Sequence, residues 1–251
     1  MSSLTRITQS NKETMNITER ENELFAIWAK EKGYGTYFVK DGVPCPDQYV
    51  NAKCVSSGEK CRICFVLKEA IAEGEENFDM RKWIDYYGGQ PQTWDNIARW
   101  TQAILEGGGY PDSISENDRF KWLKQISFLN LKKLGGPTTS NPTVIRKFAY
   151  NDRVEIRKQL QIYQPDIIIC CGKLGNKSVA DCVHDWILDH KEDDWNHSLG
   201  YAYKGCCYFY TKAFGKTTAV LDCYHPSNFS RYFDDEAIYT AIKSIIPLLL
   251  I

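Results

Sequence analysis

An α/β protein built on a largely parallel sheet is the fold class this chain predicts, on three observations. Short apolar runs at 62–67, 127–131 and 166–171 are each followed by polar, turn-forming residues. Longer segments between them carry apolar residues at helical spacing. The run Asp166 to Cys171 is apolar almost without alternation, as a strand buried on both faces must be. Strands that alternate with helices need crossover connections, and crossovers make neighbouring strands parallel.

Residues 1–16 read as a polar leader. Thr18 and Glu21 have the spacing of a capping box, and Leu24, Phe25, Ile27 and Trp28 supply an apolar face, so a helix is expected to about Lys32, stopped by Gly33 and Gly35. From Tyr37 to Lys60, with Gly42, Pro44 and Pro46, an irregular segment is expected over the core. Thr93 is placed to cap a helix from Trp94 to about Leu105, ended by Gly107-Gly108-Gly109, and Asp118 to open a short helix before the second strand. Gly135 to Pro142 has loop composition. Further helices are expected from about Phe148 to Tyr163, closed by Pro165, and from the turn Gly172–Gly175 to about Leu188. Cys207–Lys212 and Thr217–Cys223 read as a hairpin, and Asp235–Ile246 as a last helix. One domain over 1–251 is the simplest organisation, with 1–60 as an N-terminal helix and irregular extension.

Composition narrows the class. The chain has 251 residues, 43 % of them hydrophobic, enough for one sizeable core, and its formal net charge is −1. The charge is unevenly spread: ten Lys and Arg between Arg119 and Lys158 accompany only Asp152 and Glu155. Such a block is either a phosphate-contacting face or a pair of solvated helix faces. No apolar stretch reaches the ~20 residues that span a bilayer, and Met1–Asn16 lacks the apolar run of a signal peptide. The ten cysteines, several inside strand-like runs, therefore read as reduced thiols of a soluble cytoplasmic protein with no membrane partner. Cys61-x-x-Cys64, with Cys45 and Cys54 upstream, has ligand spacing, but strand alternation would send Cys61 and Cys64 to opposite faces, so no metal is expected. No nucleotide-binding glycine motif or nucleophile elbow is present.

Chemistry collects at the strand ends. Phe65-Val66-Leu67-Lys68-Glu69-Ala70, Phe128-Leu129-Asn130-Leu131, Pro165-Asp166-Ile167-Ile168-Ile169-Cys170-Cys171-Gly172 and Tyr224-His225-Pro226-Ser227 occur in that order. In order and position these four stretches resemble the uracil-DNA glycosylase superfamily, over roughly Arg62 to the C-terminus. The resemblance implies a three-layer α/β/α fold with a central, mainly parallel four-stranded sheet. It also implies hydrolysis of the N-glycosidic bond of uracil or another altered base in DNA, without a cofactor; a monomer is expected. Leu67 and Ala70 stand where the superfamily has Gly and Pro, Lys68 adds a charge, and Glu69 replaces Asp.

Hydrolysis of that bond develops positive charge on the sugar and negative charge on the departing base. Glu69 is the candidate to position water and stabilise the sugar; its alternative is a surface or ion-paired carboxylate. His225 is the candidate donor to the base oxygen, or else a turn-capping histidine. Asn130 could read the base edge with its amide, or form a turn. A stacking ring is expected among Phe78, Trp83, Tyr86 and Tyr87. Ser227, Asn228, Arg231, Lys132 and Lys133 are candidate DNA contacts, with Phe229 as a groove-entering ring. The missing Gly and Pro favour a second reading, a nucleic-acid or nucleotide binding module without catalysis. A third is an enzyme acting on free nucleosides or another small molecule.

Overall fold

The computed structural model describes residues 16–55, 57–90, 92–191, 194–197 and 207–227. The expected last helix, Asn228, Phe229, Arg231 and the polar leader up to residue 15 lie outside these residues. Four parallel strands form the centre: β1 (Ile63–Leu67), β2 (Ile126–Asn130), β3 (Ile167–Cys171) and β8 (Thr218–Cys223). In β1, β2, β3 and β8 every residue is buried, which explains why their sequences lack polar alternation.

Two small strands, β4 (Lys173–Leu174) and β5 (Lys177–Ser178), pair with each other, whereas β6 (Asn196–His197) and β7 (Cys207–Thr211) join the main sheet. The sheet order is β2-β1-β3-β8-β7-β6, with β7 and β6 antiparallel to their neighbours. The sheet thus has more strands than the four expected, because the 207–223 hairpin places its first strand in the same sheet. Ile63 sits beside Ile126 and Ile167, and Ile167 beside Ala219, so the four parallel strands start in step and end along one edge.

Helices cover both faces. On one, Phe65, Leu67, Phe128, Ile169 and Leu221 meet α3 (Met80–Tyr87), α4 (Thr93–Glu106) and α5 (Glu116–Leu123) through Ile84, Trp94, Ile97 and Trp122. On the other, Cys64, Val66, Leu129, Ile168 and Val220 meet α1 (Ile17–Glu31), α6 (Pro142–Asn151) and α7 (Arg153–Tyr163) through Phe25, Trp28, Ile145 and Leu160. Cys61 belongs to the first core and Cys64 to the second, as strand alternation requires.

The segment before β1 covers the outer edge of β2. The Phe128 N–H donates to the Gly42 carbonyl, the Val39 N–H to the Lys133 carbonyl, and the Asn130 N–H to the Asp41 carboxylate. An edge strand left bare would invite pairing with another chain. A short helix, α2 (Pro46–Asn51), follows and buries Tyr49. No helix among the described residues is long and apolar enough to cross a membrane.

Local expectations fail where side chains have tertiary partners. The α1 cap is Asn16 with Glu19, not Thr18 with Glu21; Glu21 is fully buried on Arg81 instead. The single helix expected over 148–163 is two, α6 and α7, divided at Asp152, whose buried carboxylate accepts the Tyr34 hydroxyl. Beyond Gly172 the chain forms β4 and β5, a short α8 (Val179–Cys182) and a π-helical turn (Val183–Ile187), not one long helix.

Candidate functional site

The carboxyl ends of β1 and β3 flank the point where strand order reverses, since β2 lies on one side of β1 and β3 on the other. Connections leave such a point in opposite directions and open a crevice there, the usual ligand position of an open parallel sheet. A cleft of about 930 Å³ occupies it. That volume suits a ligand larger than a lone base. Lys68 and Glu69 reach it from β1, Gly172 and Lys173 from β3, and Tyr224, His225 and Ser227 from β8. Phe78, Trp83, Trp94 and Tyr224 supply its aromatic surface.

His225 is held by the two residues that follow it and by α4. Asn96 of α4 donates to the Pro226 carbonyl at 2.7 Å. The Ser227 N–H donates to His225 Nδ1 at 3.3 Å, and the Ser227 hydroxyl lies 2.8 Å from the same atom. With Nδ1 accepting, the proton of the neutral ring belongs on Nε2. Burial, aided by the Lys68 ammonium, pushes the imidazole down to about 4. His225 is therefore a neutral donor at neutral pH.

Glu69 sits where the β1 and β2 chains continue side by side past their strands. The Leu131 and Lys132 N–H groups donate to the Leu67 and Lys68 carbonyls, and the Gly136 N–H donates to the Ala70 carbonyl. This second ladder turns Lys132 inward, onto Glu69 Oε2 at 2.5 Å. Glu69 Oε1 is buried and makes no hydrogen bond among the described residues. Gly136 permits the close approach: a Cβ there would meet Glu69 Oε2 at 2.0 Å. Gly172, at φ +103, likewise brings the backbone under Lys68 and His225, whose nearest atoms would lie 2.8 and 3.3 Å from an added Cβ. Lys68 is half-buried, and burial lowers its pKa.

The expected trio is thus only partly assembled. Glu69 and His225 share the cleft, but Asn130 is not among its walls. Asn130 is fully buried, its amide donating to Asp41 at 3.2 Å and approaching Met80 Sδ at 3.6 Å; Met80 stands at the cleft wall. The lysines expected on DNA are also inside. Lys133 is completely buried with its ammonium on both Asp41 oxygens, and Lys132 is nearly buried on Glu69. Ser227 lines the cleft beside His225.

Five of the ten cations in the basic block are paired with acids from outside it, whereas Arg146, Arg153 and Arg157 donate to neutral oxygens of Asn176, Tyr150 and Ile187. Arg119 pairs with Asp95, Lys121 with Glu106, Lys124 with Asp85, Lys132 with Glu69 and Lys133 with Asp41. Of the four rings considered for stacking, Phe78 and Trp83 line the cleft, whereas Tyr86 and Tyr87 are exposed and do not. Asp41 and the cleft ring Trp94 carried no motif that would mark them in sequence, and Tyr224 entered only as the neighbour of His225. Fold and site together define an α/β protein with an open cleft at the switch point of its mainly parallel sheet. No protein-family model matches the chain, and no curated protein matches it.

Proposed function

We propose that the cleft receives a nucleobase extruded from DNA and that the protein hydrolyses its N-glycosidic bond. The reading is carried by one observation: a buried carboxylate, Glu69, and a neutral imidazole, His225, stand on the walls of a single aromatic-lined cleft. Glu69 Oε1 is the acceptor that would hold the attacking water and face the cationic sugar. His225 donates from Nε2 to the oxygen on which the departing base gathers charge, and it does so without first losing a proton. Lys68 adds a cation at the same place, so the charge that distinguishes this turn acts on the leaving group. Phe78 and Trp83 offer faces on which a flipped base stacks.

A second reading, base or nucleotide binding without cleavage, is favoured by a specific pair of observations. Lys132 neutralises Glu69, and Asn130 is committed to Asp41. An excision panel across altered bases, in single- and double-stranded oligonucleotides, separates the two. Base release that falls about 10²–10³-fold in His225→Ala, with oligonucleotide binding retained, supports hydrolysis. Binding without release by the unaltered protein supports the second reading. Neither binding nor release at low salt overturns both.

A further inference from the structure

On the opposite side of the sheet from α3 and α4, near the β6–β7 edge, one ring nitrogen each of His184 and His190 and one carboxylate oxygen of Asp194 lie within 4.8 Å of one another. We propose that these three residues form a zinc site that ties His184 and His190 to Asp194 beside the edge of the sheet.

Two imidazoles, which are borderline donors, and one carboxylate make a ligand set that zinc accepts. Zinc held at 2.0–2.1 Å needs donor atoms roughly 3.3 Å apart in a tetrahedron. His190 Nε2 and Asp194 Oδ1 already lie 3.1 Å apart. His184 and His190 are held together by the His190 N–H, which donates to the His184 carbonyl at 3.0 Å, and their ring centroids are 4.9 Å apart. Closing the set brings donor atoms that now lie within 4.8 Å of one another to that tetrahedral spacing.

A second feature points the same way. His184 Nδ1 lies 2.8 Å from Asp185 Oδ1, and Asp185 is itself held by Lys177 at 2.7 Å. Metal-bound imidazoles characteristically donate their other N–H to a carboxylate, which fixes the tautomer and the ring orientation. The π-helical turn Val183–Ile187 carries His184, and insertions of this kind recur where a helix must aim a ligand. Trp195 stacks on His184 at 5.2 Å and Phe209 of β7 meets both imidazoles edge-on or tilted, at 4.7 and 5.1 Å, which gives the ion a dry flank. The open tetrahedral position takes water or a further donor. None of the three residues lines the cleft.

The test uses the full chain, stripped with a chelator and returned to zinc. Titration followed by elemental analysis is expected to give one zinc per chain, with a raised unfolding temperature. Cobalt in place of zinc is expected to show tetrahedral bands without thiolate charge transfer, which distinguishes these ligands from the cysteines. His190→Gln and Asp194→Asn, each checked for a native circular dichroism spectrum, are expected to weaken zinc binding at least tenfold. If His190→Gln disrupts the fold, the half-buried Asp194→Asn carries the test. No stoichiometric zinc at micromolar concentration, a thiolate band with cobalt, or undiminished affinity in a folded Asp194→Asn overturns the proposal.

Discussion

At the residue scale, the least ordinary group is His225. Its imidazole is depressed to about 4, first by burial and then by the Lys68 ammonium. Lys68→Met removes the second cause only, so the His225 midpoint followed by NMR is expected to move upward from about 4 without reaching the ordinary value of 6.5. An unchanged midpoint would place Lys68 away from the ring. The sign for stability follows from the same shift. The unfolded chain binds this proton near 6.5 and the folded chain only near 4, so stability present above 6.5 is lost as pH falls between these values.

The elements that matter most to the site are the two chain segments continuing past β1 and β2. They run as a ladder because Ala72 N–H donates to Gly136 and Gly136 N–H to Ala70, and the ladder is close because Gly136 has no side chain. Gly136→Ala pushes against Glu69 Oε2 and is expected to break the Glu69–Lys132 pair. Ligand binding at the cleft should fall at least tenfold, while circular dichroism and the melting cooperativity stay native because the four parallel strands are untouched. Binding that survives this substitution would show that Glu69 contributes nothing to the cleft. The α6–α7 break illustrates how elements escape a local reading. Helical periodicity runs through 148–163, but Asp152 is drawn to Tyr34, more than a hundred residues earlier in the chain.

For the whole molecule, the buried pair Lys133–Asp41 joins parts that are far apart in sequence. Asp41 also accepts from Asn130 of β2 and Gln159 of α7, so the segment covering the sheet edge, the edge strand and a helix share one carboxylate. Removing only the cation leaves that carboxylate buried without a counter-ion, held by the Asn130 and Gln159 hydrogen bonds alone. Lys133→Met is expected to cost about 3–5 kcal/mol in denaturant unfolding, and Asp41→Asn combined with it to restore part of the loss. A cost below about 1 kcal/mol for the single change would mean that Asp41 is satisfied without Lys133.

What the amino-acid pattern determined by itself was the set of parallel strands and the gathering of polar groups at their carboxyl ends. Burial on two faces writes itself into consecutive apolar residues such as Ile167-Ile168-Ile169, and their common direction follows from the helices between them. Glu69 and His225 share a cleft for that reason: each follows a strand that ends on the same edge. Only tertiary structure decided the partners of charged and amide side chains. Lys132 and Lys133 follow a strand just as Glu69 does, yet an ion pair forms between residues 63 and 92 positions apart, and nothing local records it. The same holds for Asn130 on Asp41 and for Arg119, Lys121 and Lys124 of the basic block, which meet acids from other elements. Apolar burial has a period that a chain displays along its length, whereas Coulomb pairing depends on distances that exist only after the chain has folded.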